Sequence, residues 1–333
     1  MLLSDIGEFG FIDRIARMAA GDPRVVVGIG DDAAVLDLGA PELVVVTTDA
    51  MLEGQHFRLE WLAPEEVGWR AASAALSDIA AMGAAPIAAF CSVGLPPNWP
   101  VERADALMCG IANAVQAAGA SLAGGDLVAS ECLLVDLMAV GRVPREQVLL
   151  RSGAQPGQVL AVTGALGAPA AAVAALIELG PEALSGEALA QVRQRFVHPE
   201  PRLAAGRAIA ASGLASAAID ISDGLVQDAG QIARRSGLRA VIEAPRVPIA
   251  EGCEAVAERL GADGRTWALT GGEEFELLIA LDEAHLPALG ALDTVAEVGL
   301  SVVGRVEVGE GAVAVDEKGR QLELSRGGWD HFA

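Results

Sequence analysis

Short apolar runs in this chain end repeatedly in glycine and a carboxylate. The first case is Gly28-Ile29-Gly30-Asp31-Asp32, followed by Ala33-Ala34-Val35-Leu36 and then Leu43-Val44-Val45-Val46-Thr47-Thr48-Asp49. Val-rich runs of this length, bounded by Gly or Asp, read as β-strands. Asp31, Asp32 and Asp49 are therefore expected at the rim of a sheet, where strands end and turns begin. No Lys or Arg lies between Arg24 and Arg58, so these acids repel one another unless protons or cations intervene. A divalent cation is an economical counter-charge, and Mg²⁺ characteristically takes one or two carboxylates and fills its shell with water and phosphate oxygens. Gly-Asp-Asp also fits an ordinary turn in which Asp bonds its own backbone. The stretch alone leaves both readings open.

The pattern recurs along the chain. Pro64 to Met82 reads as a helix, with Pro in its first turn and Glu65 and Glu66 at the positive end of its dipole. Asp78 sits deep in its apolar half, where an unpaired carboxylate is costly and a metal ligand is a better explanation than surface decoration. Ser121-Leu122-Ala123-Gly124-Gly125-Asp126 is another apolar approach to glycine and acid; it suits a phosphate-facing turn, with Asp126 holding the metal, or a plain hairpin. Ile219-Asp220-Ile221-Ser222-Asp223-Gly224 is a third, with Asp220 and Ser222 on one face of a strand. Thr270-Gly271-Gly272-Glu273-Glu274-Phe275-Glu276 is a fourth.

Between these stretches, helical and strand periodicities alternate. Residues 5–20, 101–118, 164–179, 201–212 and 224–235 have helical spacing, and 87–95, 132–143 and 159–163 read as strands. The fold class is α/β (α+β). A chain of 333 residues accommodates two cores, and the linker-like Arg151-Ser152-Gly153-Ala154-Gln155-Pro156-Gly157 places domains at 1–148 and 149–333.

Composition excludes several functions. Net charge −22 argues against nucleic-acid binding through phosphate neutralisation. Lys318 is the single lysine, in the turn-like Asp316-Glu317-Lys318-Gly319, which disfavours phosphate-loop, Schiff-base and protein-kinase lysine mechanisms. Cys91, Cys109, Cys132 and Cys253 form no Cys-x-x-Cys, so a zinc or iron–sulfur centre is not expected; they read as reduced and mostly buried. With no basic-then-apolar leader and no membrane-length apolar segment, the expectation is a cytoplasmic protein with no membrane partner. A lone His is more often a satisfied structural residue than a catalytic one; His56, in Glu53-Gly54-Gln55-His56-Phe57, follows the Asp49 strand closely, which strengthens the case for a functional role without closing the structural one.

Taken in order, these motifs resemble the thiamine-monophosphate kinase family, within the ATP-binding superfamily that also holds aminoimidazole ribonucleotide synthetase, selenophosphate synthetase and a hydrogenase maturation enzyme. The resemblance spans nearly the whole chain and includes Leu76-Ser77-Asp78-Ile79-Ala80-Ala81-Met82-Gly83 and the terminal Gly328-Trp329-Asp330-His331-Phe332. It implies ATP-dependent phosphorylation of thiamine phosphate to thiamine diphosphate by a homodimer joined through the sheet of the first domain. It implies several Mg²⁺ ions held by Asp32, Thr47, Thr48, Asp49, Asp78, Asp126, Asp220 and Asp223. Gly125, Asp126, Arg151 and Ser222 would contact ATP; His56, Glu273 and Trp329 would contact thiamine phosphate. No obligatory catalytic base is expected, because the acceptor phosphate is already ionised near neutral pH. The chain departs from the family pattern in two places: the usual Gly-Gly-Glu-Asp-Tyr-Glu is Gly-Gly-Glu-Glu-Phe-Glu here, and Leu127-Val128 follow Gly-Gly-Asp where hydroxyl residues are common. The rivals are a purine-pathway synthetase or maturation enzyme of the same superfamily, and a non-catalytic nucleotide-binding regulator. The Glu-Gly-x-His-Phe loop and the aromatic tail favour the thiamine branch.

Overall fold

A computed structural model describes residues 5–18, 22–186, 189–324 and 328. Trp329 lies outside the described residues.

Helix α1 (Gly7–Met18) precedes a six-stranded sheet of β1 (Val25–Val27), β2 (Ala34–Leu36), β3 (Glu42–Leu52), β4 (Ala85–Leu95), β5 (Ser121–Ala129) and β6 (Leu134–Pro144). The strand order is β1-β2-β3-β6-β4-β5, antiparallel except for the parallel β4–β5 pair. Helices α2 (Pro64–Ala81) and α3 (Val101–Ala117) cover one face. They cross at two glycines: a Cβ on Gly68 would fall 2.2 Å from the Leu107 carbonyl oxygen, and one on Gly110 2.0 Å from that of Glu65. Only a bare backbone allows that approach.

The second sheet holds β7 (Val159–Thr163), β8 (Ala215–Asp220), β9 (Arg239–Glu243), β10 (Leu277–Leu281), β11 (Leu300–Glu307) and β12 (Gly311–Val315), in the order β12-β9-β11-β7-β10-β8. Around it lie α4 (Ala168–Leu179), α5 (Ala190–Val197), α6 (Leu203–Ser212), α7 (Leu225–Ser236), α8 (Cys253–Leu260), α9 (Gly264–Thr270) and the short α10 (Leu286–Gly290) and α11 (Asp293–Val298). The architecture is the expected mixed α/β one with two sheets.

Helix α2 joins the halves. Thirteen of its 18 residues are buried, more than a one-faced helix can hide, because its second face packs on the other domain. Ala80 and Ala81 share a core with Ala205, Ile209 and Leu277. Trp69 Nε1 and Ser73 Oγ both donate to the Pro199 carbonyl, each at 2.9 Å. Burial on both sides is tolerated because six of its residues are alanine, which costs little side-chain entropy.

Four local expectations change. Asp49 lies within β3, which runs on to Leu52, rather than at a strand end. Gly124-Gly125-Asp126 is the middle of edge strand β5, not a turn, because Gly125 lets β5 press against β4; a Cβ there would sit 1.8 Å from the Cys91 carbonyl oxygen. β8 stops at Asp220, so Ser222 belongs to the turn beyond it and shares no strand face with Asp220. Of the four cysteines only Cys91 and Cys253 are buried.

Candidate active site

Three buried or half-buried carboxylates from distant parts of the chain converge. Asp32 comes from the loop between β1 and β2, Asp78 from α2, and Asp220 from the end of β8. One oxygen from each lies within 4.8 Å of the others. Each is oriented by a neighbour: Thr47 Oγ1 donates to Asp78 at 2.6 Å, Ser77 Oγ to Asp220 at 2.7 Å, and Arg151 Nε to Asp32 at 2.9 Å. Oδ2 of Asp32 remains buried without a hydrogen-bond partner among the described residues.

Burial pushes the Asp32 carboxyl up to about 7, against the pull of Arg151 and helped by Asp220. Burial likewise raises Asp220 to about 6, although Ser77 and Arg151 oppose it. Asp78 is raised well above the carboxylate range by burial and then by Asp220, Asp32 and Asp49. One arginine does not offset three such charges. The donor set is all oxygen and anionic, with one buried oxygen lacking any partner, and that fits a hard cation such as Mg²⁺.

Strand alternation sorts the residues of β3. Thr47 faces inward to Asp78, and Asp49 shares its face. Burial lifts Asp49 to about 6, with further upward pressure from Glu273, Asp136 and Asp223. Thr48 points to the opposite face and donates to Asp136 on β6. Asp126 stands in register with Ser92 and, through it, with Asp136, on that same outer face. It is three strand spacings from β3, about 14 Å. Gly125 and Asp126 are therefore apart from the Asp32–Asp78–Asp220 cluster within one chain.

The turn after β8 is held by a residue that sequence reasoning missed. Asp228, in the first turn of α7, accepts the backbone N–H groups of Ser222, Asp223 and Gly224, each at 3.1 Å. Its signal was available: an acid four residues beyond Gly224, where a helix begins. The Ser222–Asp223 turn is bound to the Gly-Gly-Glu-Glu-Phe segment, Glu273 N donating to Ser222 O at 2.7 Å and Phe275 N to Ile221 O at 2.9 Å. Glu273 and Phe275 both have positive φ, 59° and 53°, which side chains adopt at a cost of order 1 kcal/mol. Such backbone persists only where its surroundings dictate it.

Arg70 supplies one such constraint. Buried to 1% exposure, it donates from α2 to Glu273 and to the Phe196 carbonyl, and its guanidinium lies 4.5 Å from the Phe196 ring centroid. Glu276, fully buried, accepts from Thr163 at 2.7 Å, from Arg202 at 2.6 and 2.7 Å, and from Arg195 at 2.9 Å. Glu274 reaches the start of α4, where Gly167 N donates to it; burial raises its carboxyl to about 8. His56 Nδ1 accepts from Leu52 N at 3.0 Å, which places its ring proton on Nε2.

Alongside the cluster opens a cavity of about 530 Å³, bounded by Phe9 and Ile12 of α1, Gly30, Asp32, Arg151 and Arg235. An acidic cation site beside a cleft walled by glycine backbone and guanidinium groups can hold a polyanion and its counter-ions.

Residues 30–143 match the N-terminal domain, and 155–317 the C-terminal domain, of AIR synthase related proteins. The thiamine-monophosphate kinase of Mycobacterium tuberculosis is 37% identical over 315 residues, 94% of this chain and 89% of that one. That of Aquifex aeolicus is 33% identical over 332 residues, all of both chains. The solved structure of AaThiL complexed with AMPPCP and TMP superposes with a TM-score of 0.86 at 30% identity, covering 99% of each chain. Hydrogenase maturation protein HypE, at 18% identity and a TM-score of 0.67 over 92% of this chain and 95% of that one, shares the fold. With its two domains matched in order and its relatives aligned end to end, the chain belongs to the thiamine-monophosphate kinase family.

Proposed function

We infer that the protein transfers the γ-phosphoryl group of ATP to the phosphate of thiamine phosphate, forming thiamine diphosphate and ADP. The observation that carries this reading is the convergence of Asp32, Asp78 and Asp220 within 4.8 Å, in a chain whose relatives bear that activity in their names. The AMPPCP and TMP held by AaThiL support the same pair of substrates.

Joining two phosphate groups is opposed mainly by their mutual repulsion and by alignment. Asp32, Thr47, Asp49, Asp78, Asp220 and Asp223 are the residues we assign to Mg²⁺ at the cluster, with Thr48 and Asp126, on the opposite face of the first sheet, assigned to Mg²⁺ at a separate position; when bound, the cation neutralises the phosphates and polarises the transferring group. The protein's own part is to hold those oxygens: Thr47 and Ser77 fix Asp78 and Asp220, and Asp228 fixes the Ser222–Asp223 turn. Arg151, together with Ser222, Gly125 and Asp126, is assigned to ATP. Glu273, gripped by Arg70, is assigned with His56 and Trp329 to thiamine phosphate. No side chain is needed to remove a proton from an acceptor that is already an anion.

A homodimer is the assembly we assign. Thr48, Ser92, Asp126 and Asp136 share the open face of the first sheet with Phe90 and Val128, which are 36% and 56% exposed. Pairing two such faces covers the apolar residues and brings Asp126 to a second subunit's face.

The test is ADP release from ATP and Mg²⁺ with thiamine phosphate, thiamine, formylglycinamidine ribonucleotide or no acceptor. ADP formed with thiamine phosphate alone is expected. Turnover with the purine precursor instead would place the chain on another branch of the superfamily.

A further inference from the structure

The cavity beside the acidic cluster contains a guanidinium with no role so far. Arg235, in the last turn of α7, lies directly over Gly30: a Cβ at Gly30 would fall 1.6 Å from Arg235 Nη2 and 2.4 Å from Cζ. Gly30 has φ 116°, so both its conformation and the space above it require glycine. Of the neighbouring cations, Arg234 is paired with Asp13 at 2.6 Å, and Arg151, already assigned to ATP, reaches Asp32 at 2.5 Å. Arg235 Nε is buried with no hydrogen-bond partner among the described residues. A desolvated guanidinium N–H costs free energy until an acceptor reaches it.

We propose that Arg235 binds the phosphate chain of the nucleotide at the α-phosphate, outside the metal cluster; the assignment rests on the reading that ATP occupies this cavity. Gly30 precedes Asp32 by two residues, at most about 7 Å of backbone, so a phosphate chain with its transferable end at Asp32, Asp78 and Asp220 passes beneath Arg235. The planar fork of arginine matches phosphate oxygens, and a phosphate there supplies the acceptor that Nε lacks. In a chain of net charge −22, the part of ATP beyond the cations needs such a local positive group.

The test is calorimetric titration of the full chain, with Mg²⁺, by ATP, ADP, AMP and adenosine. Wild type is compared with Arg235→Ala, Arg235→Lys and Arg259→Ala, the last removing one exposed charge on α8. Arg235→Ala is expected to weaken ATP, ADP and AMP about 10-fold or more, with Arg235→Lys recovering part of the loss and adenosine unchanged. Circular dichroism melting checks that each variant folds, and Arg235→Lys keeps the test valid if the alanine variant does not. Unchanged ADP and AMP affinity in folded Arg235 variants would overturn the assignment. So would an equal loss for adenosine, which would put the guanidinium against the nucleoside, or an equal loss in Arg259→Ala. Wild type binding no nucleotide would overturn the ATP reading itself, and this assignment with it.

Discussion

Asp78→Asn is expected to lower thiamine diphosphate formation about 10³-fold or more while leaving the chain folded. Asparagine keeps the shape of the side chain and an oxygen that can still accept the hydroxyl of Thr47, now 2.6 Å from Asp78, so packing within α2 is preserved. What is lost is one anion of three in a desolvated cluster, where charge counts far more than at the surface. Without divalent cations the Asp78 carboxyl, raised well above its ordinary 3.8 by burial and its acidic neighbours, must take up a proton on folding near neutral pH; asparagine needs none, so the metal-free variant should melt higher than wild type, an activity–stability trade-off. Steady-state kinetics across a Mg²⁺ series, paired with calorimetric melting, check both parts. A near-normal rate at saturating Mg²⁺ would remove Asp78 from the metal site.

The second large effect is one of pH. Asp32 is raised to about 7, and Asp49 and Asp220 to about 6, from an ordinary 3.8. Between those values the native chain binds more protons than the unfolded one, and stability falls as pH rises. Stabilisation from these protons is complete below about pH 4 and is lost as pH climbs through 6 to 7. In the absence of divalent cations, the melting temperature at pH 8 should therefore lie below that at pH 5.5, by an amount of the order of a few kcal/mol in stability. Mg²⁺ binds the deprotonated cluster, so its stabilising effect should grow across the same interval and its binding should release protons. A melting temperature that rises from pH 5.5 to 8 without metal, or Mg²⁺ binding with no proton release, would contradict this electrostatic picture.

Much of this site is legible in the sequence because the acids are local punctuation. Asp32, Asp49, Asp78, Asp220 and Glu273 each follow a glycine, a strand signal or an apolar helical run, and those patterns survive without knowledge of the fold. What periodicity cannot give is which face a residue takes after pairing is set. Thr47 and Thr48 are adjacent, yet register sends one to Asp78 and the other to Asp136. Asp126 reads like the other glycine-flanked acids but lies on an edge strand, because Gly125 allows β5 to press against Cys91. Supporting residues are harder still. Arg70 grips Glu273 across 203 residues of sequence, and Arg235 meets Gly30 only because α7 returns beside the first sheet. Nothing local to either arginine marks it, since an arginine in a helix is equally at home on a solvated face. The departure at Glu274 has a visible consequence: the side chain that stands where the family has Asp reaches the N–H of Gly167.

The central claim is direct transfer of the γ-phosphoryl group to a phosphate acceptor, and γ-phosphorus-labelled ATP tests it most directly. With Mg²⁺ and thiamine phosphate, label should appear in the terminal phosphate of thiamine diphosphate, one per ADP formed, and should vanish from that product when Mg²⁺ is chelated. Label released as inorganic phosphate, with no labelled thiamine diphosphate, would contradict the account.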